Sequence, residues 1–200
     1  MNFIVLSSSR GTTFQAVIDA MKKGELKAKC LGLISDRTDR GCVEKAKIAK
    51  IPVRIVEKNS GEDREDYDKR LHTAALELGA VPPITNHESR ITTYIACIGW
   101  MFLLSPWFVR TWKRRMINVH PSLLPKYPGA HAIDDALAAG ERETGMTIHY
   151  IDEGLDSGEI IVQKNCSIEK DDTLDSLKER LQALEKEWYP KVLQQLENNR

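Results

Sequence analysis

The sequence has no excess of charge of either sign. Its 200 residues include 29 Lys and Arg and 29 Asp and Glu, so the formal net charge is zero. Proteins that bind nucleic acid or an anionic membrane through their overall field carry a marked positive charge. We therefore expect neither partner. A small anionic ligand is compatible with this balance, because it needs only a local site.

Long hydrophobic runs and clustered cysteines are also lacking. No apolar run approaches the roughly 20 residues that span a membrane. The N-terminal segment MNFIVLSSSR has no basic stretch before its apolar residues, so it is typical of a first strand and not of a signal peptide. The cysteines have no C-x-x-C spacing, and no pair of histidines has the spacing of metal ligands. We expect a cytoplasmic protein with reduced thiols and no metal, as a monomer or a homodimer. The cysteines are Cys30, Cys42, Cys97 and Cys166.

The sequence does contain a regular alternation of strand-like and helix-like segments. Short β-rich runs alternate with segments whose apolar residues recur at helical spacing. This alternation is typical of an α/β fold with an open, mainly parallel twisted sheet and helices on both faces. The last two strands are expected to pair antiparallel. Strands are predicted at 3–7, 29–35, 53–57, 93–99, 115–120, 144–152 and 159–168, and helices at 11–24, 42–50, 64–79, 105–112, 132–140 and 172–197. The apolar stripe predicted for the last helix is Leu174, Leu177, Leu181, Leu184 and Trp188.

One segment interrupts the alternation. AVPPITNHESRIT, at 80–92, is polar and contains two prolines. It joins the third predicted helix to the fourth strand, at the edge of the sheet opposite the one where open α/β sheets bind ligands. We interpret it as a surface insertion away from the chemistry.

The first strand-to-helix turn, SSSRGTTFQ, lies where α/β folds bind phosphate groups. Gly11 permits a positive φ or a close approach, Thr12 and Thr13 add hydroxyl groups, and Arg10 adds charge. The segment lacks both G-x-G-x-x-G and the lysine of a P-loop. Two interpretations therefore stay open at this turn, a phosphate site and an ordinary helix cap.

Asn118 and His120 stand at the end of the fifth predicted strand, in the segment MINVHP. Residues two apart on a strand share a face, so both side chains point the same way, at the edge where ligands bind. An Asn amide can donate to a developing oxyanion, and a His can carry a proton at neutral pH. The alternative is a pair of satisfied side chains that cap a loop, and Pro121 helps to end the strand in either case.

The loop DEGLDSGEI joins the last two strands and contains Asp152, Glu153 and Asp156. It is either a solvated hairpin loop or the source of a carboxylate that orients His120. Two further histidines carry less weight. We expect His72 at the surface, and His149 either behind the site or in the core.

Two longer motifs, NVHPSLLPKYPG and TGMTIHYIDEGLDSGEIIVQ, resemble those of the folate-dependent N-formyltransferases. The resemblance covers almost the whole chain except about residues 80–92. It implies a Rossmann-like single domain over 1–200, with a nucleotide-binding part at about 1–100 and a catalytic, folate-binding part at about 100–200. It also implies that Asn118, His120 and Asp156 are the catalytic trio. The implied reaction moves a formyl group from 10-formyltetrahydrofolate to the amine of glycinamide ribonucleotide, a step of purine biosynthesis, without a metal.

The same resemblance implies binding residues for both substrates. For the nucleotide they are Gly11, Thr12, Thr13 and Glu185, and for the folate they are Arg64, Met101, Phe102, Leu104, Asp152 and Asp156. Residues 152–156 would close over the pterin through backbone groups. The chain departs from the family pattern at three positions, where Ser9 replaces Gly, Thr13 replaces Asn and Phe102 replaces Arg.

Two alternatives stay open beside this interpretation. One is a related N-formyltransferase that acts on an amino sugar nucleotide, and the other is a non-catalytic folate- or nucleotide-binding homologue. Methionyl-tRNA formyltransferases fit less well, because they have an additional C-terminal domain and the zero net charge offers no evident tRNA surface.

Overall fold

A computed structural model describes residues 1–83 and 93–199 of the chain. The strands are β1 (Asn2–Leu6), β2 (Lys29–Ser35), β3 (Val53–Ile55), β4 (Thr93–Cys97), β5 (Met116–His120), β6 (Glu143–Tyr150) and β7 (Ile160–Ser167). The helices are α1 (Thr12–Lys22), α2 (Gly41–Ile48), α3 (Arg64–Glu77), α4 (Pro106–Thr111), α5 (Ala132–Ala138) and α6 (Leu174–Asn198). The interpretation of 80–92 as an insertion falls mainly on residues 84–92, which lie outside the described residues.

All of these strands form one sheet in the order β3-β2-β1-β4-β5-β6-β7. Strands β1 to β5 pair in parallel, and β6 runs antiparallel to both of its neighbours, β5 and β7. The predicted fold, a mainly parallel sheet with an antiparallel end, is therefore confirmed.

The alternation of side chains along β1 explains why both faces of the sheet are covered. Phe3 and Val5 belong to a core that includes residues of α1, α2 and α6. Ile4 and Leu6 belong to a second core with residues of α3 and α4. Because successive strand side chains point to opposite faces, an uninterrupted apolar strand needs helices on both.

The parallel strands end at the edge where ligands bind in open α/β sheets, and the loops after three of them line the cavity. After β1 comes the first loop and α1, after β4 comes the segment 98–105, and after β5 comes the proline-containing segment 121–131. The loop 151–159 follows β6 and folds back, so that Asp156 lies against His120 and His149. These loops surround the cavity described below.

Two details of the helices differ from the predictions. Leu174, assigned to the apolar stripe of α6, is 40% exposed and lies at the cavity. Leu177 and Leu181 of the same stripe are buried as predicted, and the C-terminal half of the helix adds the buried residues Tyr189, Val192 and Leu193. His72 is not a surface residue, since its ring packs edge-on against Trp107 and Trp112. None of the helices in 1–83 and 93–199 has both the length and the apolar character needed to cross a membrane.

Candidate active site

A cavity of about 780 Å³ opens at the carboxyl edge of the sheet. That volume is within the range of small-molecule sites, roughly 300–1,000 Å³. The structure brings every site residue proposed from the sequence to its wall. These residues are Gly11, Thr12, Thr13, Arg64, Met101, Phe102, Leu104, Asn118, His120, Asp152, Asp156 and Glu185.

Asn118 and His120 lie at the C-terminal end of β5, and both line the cavity as their two-residue spacing predicts. Only 4% of His120 is exposed. Because the strand is held in register between β4 and β6, these two side chains have little freedom to move apart. The strand therefore presents an amide and an imidazole side by side.

The two ring nitrogens of His120 both face acceptors. Its Nε2 lies 2.7 Å from the Tyr127 carbonyl oxygen, and its Nδ1 lies 3.3 Å from Asp156 Oδ2. A carbonyl oxygen can only accept, so Nε2 carries a hydrogen. A carboxylate also accepts, so a hydrogen on Nδ1 is stabilised too. Both ring nitrogens of His120 therefore have an acceptor to which an N–H can be donated.

Asp156 is held by three neighbours. Its Oδ2 accepts the Gly129 N–H at 2.8 Å, and its Oδ1 lies 3.6 Å from His149 Nε2. Burial pushes the pKa of Asp156 upward, but the hydrogen bonds from His149 and Gly129 and the charge of His120 outweigh burial. The pKa of this carboxyl group is therefore lowered, and Asp156 is ionised at neutral pH.

His149 is part of the same cluster. It stands directly opposite Asn118 in the antiparallel pair of β5 and β6. Its Nδ1 donates to the Tyr150 carbonyl oxygen at 2.9 Å. Its Nε2 lies 3.6 Å from Asp156 Oδ1 and 3.4 Å from Asn118 Nδ2. An amide has two N–H groups, so the contact with His149 leaves at least one N–H of Asn118 for another acceptor.

The first loop forms one end of the cavity. Gly11 has a φ of 74°, and a Cβ at this position would lie 2.7 Å from the Cα of Cys42, so only glycine fits. The Gly11 N–H donates to Ser9 Oγ at 3.1 Å. The Thr13 hydroxyl donates to Glu185 Oε2 at 2.9 Å. Two groups that the sequence suggests as phosphate donors thus have partners within the protein.

Glu185 is the acid at this end of the cavity. Burial raises the pKa of its carboxyl group, although the Thr13 hydrogen bond and the charges of Lys186 and Lys178 act in the opposite direction. Ser8 lies nearby in the wall and is 5% exposed, and its Oγ has no hydrogen-bond partner within the described part of the chain. This end therefore combines the N-terminus of α1 with the buried Ser8 hydroxyl, which has no hydrogen-bond partner among the described residues.

The opposite end is apolar and aromatic. Met101 is 70% exposed and Leu103 is 60% exposed, although both line the cavity. Phe102 packs against Tyr67 and Trp100, with ring centroids 5.6 and 5.2 Å apart. Exposed apolar side chains beside a cavity are suited to a flat apolar ligand, which would cover them on binding.

Two polar residues complete the apolar end. Arg64 begins α3 and lines the cavity. Asp152 Oδ1 accepts from the Gly154 N–H at 3.0 Å and from the Ser157 hydroxyl at 2.8 Å. The Asp152 carboxylate therefore holds the conformation of the loop 151–159. The groups that this loop presents to a ligand are those of its backbone. Across residues 1–83 and 93–199, no group of three or more His, Cys, Asp and Glu side chains could hold a metal ion.

Comparison with known proteins identifies the family. A family model described as formyl transferase matches residues 1–193. The chain belongs to the formyl transferase family. Among its relatives, the phosphoribosylglycinamide formyltransferase of Bacillus subtilis is 35% identical over 194 residues, which are 97% of this chain and 93% of that protein. The enzyme of the same name from Escherichia coli is 33% identical over 193 residues, covering 96% of this chain and 85% of that one.

Solved structures agree with this membership. The crystal structure of phosphoribosylglycinamide formyltransferase from Bacillus halodurans superposes with a TM-score of 0.88 at 34% identity. The match covers 98% of this chain and 95% of that chain. The fold of this formyl transferase is thus shared with its relatives over nearly its full length.

The sequence reasoning about this formyl transferase missed several contacts. It left His149 undecided between a position behind the site and the core, although the antiparallel pairing of the last strands could have placed it opposite Asn118. It did not single out Trp100, whose buried indole Nε1 has no partner among the described residues and whose ring lines the cavity. The contact between His120 and the Tyr127 carbonyl oxygen was also missed, because every residue has a backbone carbonyl and its use as an acceptor does not depend on the residue type.

Proposed function

We propose that this formyl transferase transfers the formyl group of 10-formyltetrahydrofolate to the amine of glycinamide ribonucleotide, a step of purine biosynthesis. The observation that carries the proposal is the cluster of the buried His120 with the partly buried Asn118 and Asp156, between two unlike ends of one cavity. One end suits a phosphorylated ribose and the other suits a flat apolar ring system. The names of the full-length relatives support the same acceptor.

The chemistry begins with attack of the neutral substrate amine on the formyl carbon, which forms a C–N bond and a tetrahedral oxyanion. The free N–H of Asn118 and the protonated ring of His120 stabilise the negative charge on that oxygen. The bond between the formyl carbon and N10 of the folate then breaks. The attacking nitrogen loses a proton and N10 gains one, so the overall transfer is balanced.

His120 is the group proposed to move that proton, directly or through water. Its Nε2–H is held by the Tyr127 carbonyl, so Nδ1 is the nitrogen through which a proton can be exchanged. Asp156 faces Nδ1 and stabilises the charged ring. Because Asn118 and His120 supply the charge stabilisation, the proposed reaction needs no metal.

The binding assignments follow the two ends of the cavity. For the nucleotide we propose the first loop with Gly11, Thr12 and Thr13, together with Glu185 of α6. For the folate we propose the apolar end, where the loop that contains Asp152 and Asp156 offers backbone groups. The remaining folate residues are Arg64, Met101, Phe102 and Leu104. Glu185 would thus bind the nucleotide although it lies in the folate part, at about 100–200. Arg64 would bind the folate although it lies in the nucleotide part, at about 1–100.

We also propose that the protein acts on small molecules in the cytoplasm, as a monomer or a homodimer. All four cysteines are free thiols, which is typical of a reducing compartment. The pKa of the Cys97 thiol is raised by burial to about 12, so it is inert.

An acceptor assay tests the function. Purified protein is mixed with 10-formyltetrahydrofolate and either glycinamide ribonucleotide or an amino sugar nucleotide, in the presence of a chelator, and tetrahydrofolate release is followed. We expect turnover with glycinamide ribonucleotide only. Turnover with the sugar nucleotide alone, or with neither acceptor, would contradict the proposal. The variant His120→Ala is the control for a contaminating activity, and its kcat should fall roughly 10²- to 10⁴-fold.

A further inference from the structure

The hydroxyl of Thr13 points to a carboxylate and not to open cavity. Thr13 is 4% exposed, and its Oγ1 donates to Glu185 Oε2 at 2.9 Å. A hydroxyl has a single hydrogen to donate, so in this arrangement it has none left for a phosphate oxygen. The bond joins the first turn of α1 to α6, which lie 172 residues apart in the sequence.

An anion at this end of the cavity has other donors. The backbone N–H groups at the start of α1 point out of the helix, and the Ser8 hydroxyl is buried without a partner among the described residues. Arg10 and Lys178 line the same wall and bring positive charge. Phosphate binding therefore does not require the Thr13 hydroxyl.

Glu185, by contrast, has acceptor capacity to spare. A carboxylate offers about four lone-pair sites, and among residues 1–83 and 93–199 Glu185 accepts one hydrogen bond, from Thr13. A glutamate side chain has several rotatable bonds, and fixing the side chain in one position costs conformational entropy. A neighbour that fixes the carboxylate before the ligand arrives lowers this cost.

We propose that Thr13 is a positioning residue, which holds the Glu185 carboxylate where it accepts the two hydroxyl groups of a substrate ribose. This inference rests on the proposed function, because it takes the ribose of the nucleotide as the ligand. It assigns a different role to Thr13 from the phosphate contact that its place in the loop suggests. The phosphate is left to the backbone of the first loop, Ser8 and Arg10.

The test compares two probes that differ only in the sugar, ribose 5-phosphate and inorganic phosphate, and their binding is measured by calorimetry. The variants are Thr13→Val, which keeps the branched shape without the hydroxyl, and Thr13→Ser, which keeps the hydroxyl. Glu185→Ala and the double variant complete a cycle. Circular dichroism confirms that each variant is folded, and Thr13→Ser gives a reading if Thr13→Val does not fold.

We expect Thr13→Val to weaken ribose 5-phosphate binding roughly tenfold, the size of one hydrogen bond to a charged group, and to leave phosphate binding unchanged. Thr13→Ser should bind both probes like the parent. In the Glu185→Ala background, Thr13→Val should have no further effect, because its partner is gone. In turnover assays, Thr13→Val should raise the KM for the nucleotide about tenfold and leave kcat and the KM for the folate close to the parent values.

Three results would overturn the inference. They are a loss of phosphate binding in Thr13→Val, additive effects in the double variant, and an unchanged affinity of Thr13→Val for ribose 5-phosphate. Failure of the proposed function gives a different result, since the parent protein would then not turn over glycinamide ribonucleotide while the two binding probes still report on Thr13. If Thr13→Val is unfolded, the binding data of Thr13→Ser are used instead. Because Thr13→Ser keeps the hydroxyl, it should bind ribose 5-phosphate like the parent. Weaker binding of ribose 5-phosphate, with unchanged binding of phosphate, would contradict the role of the hydroxyl.

Discussion

Two carboxylates of the same cavity have surroundings that shift their pKa values in opposite directions. Asp156 is partly buried, but it accepts from the Gly129 N–H and faces two imidazoles, and its pKa is lowered. Glu185 is also partly buried, with the Thr13 hydroxyl as its hydrogen-bond donor, and its pKa is raised. The difference comes from the number and charge of the donors and not from burial, which acts on both.

The comparison indicates two roles. A carboxylate kept ionised by its neighbours can hold an imidazolium through a reaction, as proposed for Asp156 and His120. A carboxylate that lacks donors is under-satisfied until a ligand supplies them, as proposed for Glu185 and the ribose hydroxyl groups. Opposite pKa shifts in one site are a recurrent way of giving two acids different tasks.

The largest effect is expected from neutralising the first carboxylate. Asp156→Asn keeps an oxygen for the Gly129 N–H but removes the charge that faces His120 Nδ1. We expect kcat to fall roughly 10²- to 10⁴-fold, as for loss of general acid–base catalysis, with a small change in either KM. Steady-state kinetics with both substrates measure this. Asp135→Asn on α5, an exposed acid, is the matched control and should leave kcat unchanged. A near-normal kcat for Asp156→Asn would remove Asp156 from the mechanism.

The same substitution should also change stability, with a defined pH dependence. Because the pKa of Asp156 is lower in the folded protein, its ionised form stabilises the fold. That contribution is present above the unfolded value of about 3.9 and is lost as the pH falls through the folded pKa. Asp156→Asn should therefore melt a few degrees below the parent at pH 7, roughly 2–4 °C for each 1 kcal/mol lost. Urea unfolding at pH 7 and near pH 3 checks this, and a difference that grows towards acid pH would have the wrong sign.

The sequence predicts the part of the site that depends on local rules. The two-residue spacing of Asn118 and His120 sets their common face, and the position of the first loop after β1 sets its place at the cavity. The uninterrupted apolar run in β1 predicts helices on both faces of the sheet. Each of these features depends on residues that are close in the chain. The two-residue period of a strand and the order of the elements are therefore sufficient to predict them.

The sequence does not predict contacts that depend on how distant elements pack. The bond between Thr13 and Glu185 requires the relative positions of α1 and α6, and the contact between Asn118 and His149 requires the register of β5 against β6. The apolar stripe predicted for α6 differs from the structure at its first residue, Leu174, for a similar reason. Helical spacing gives a face, but which stretch of a long helix lies over the core depends on where the helix crosses the sheet.

The smallest effect, and the sharpest test of the comparison, is expected from Glu185→Gln. Because the pKa of Glu185 is higher in the folded protein, ionisation destabilises the fold. The cost is absent below the unfolded value of about 4.3 and appears as the pH rises through the folded pKa. Gln avoids this cost and still accepts from the Thr13 hydroxyl, so we expect it to raise the melting temperature at pH 7 by roughly 1–3 °C and to leave it unchanged near pH 4.

Glu179→Gln, at an exposed position of the same helix, is the control and should not change the melting temperature. Thermal melts of the parent, Glu185→Gln, Glu179→Gln and Asp156→Asn at pH 4 and pH 7 are sufficient. Glu185→Gln should stabilise the protein at pH 7 while Asp156→Asn destabilises it, so the two variants shift stability in opposite directions at the same pH. If both variants stabilise the protein at pH 7, then burial and not the set of donors governs both acids, and the contrast between the two carboxylates is wrong.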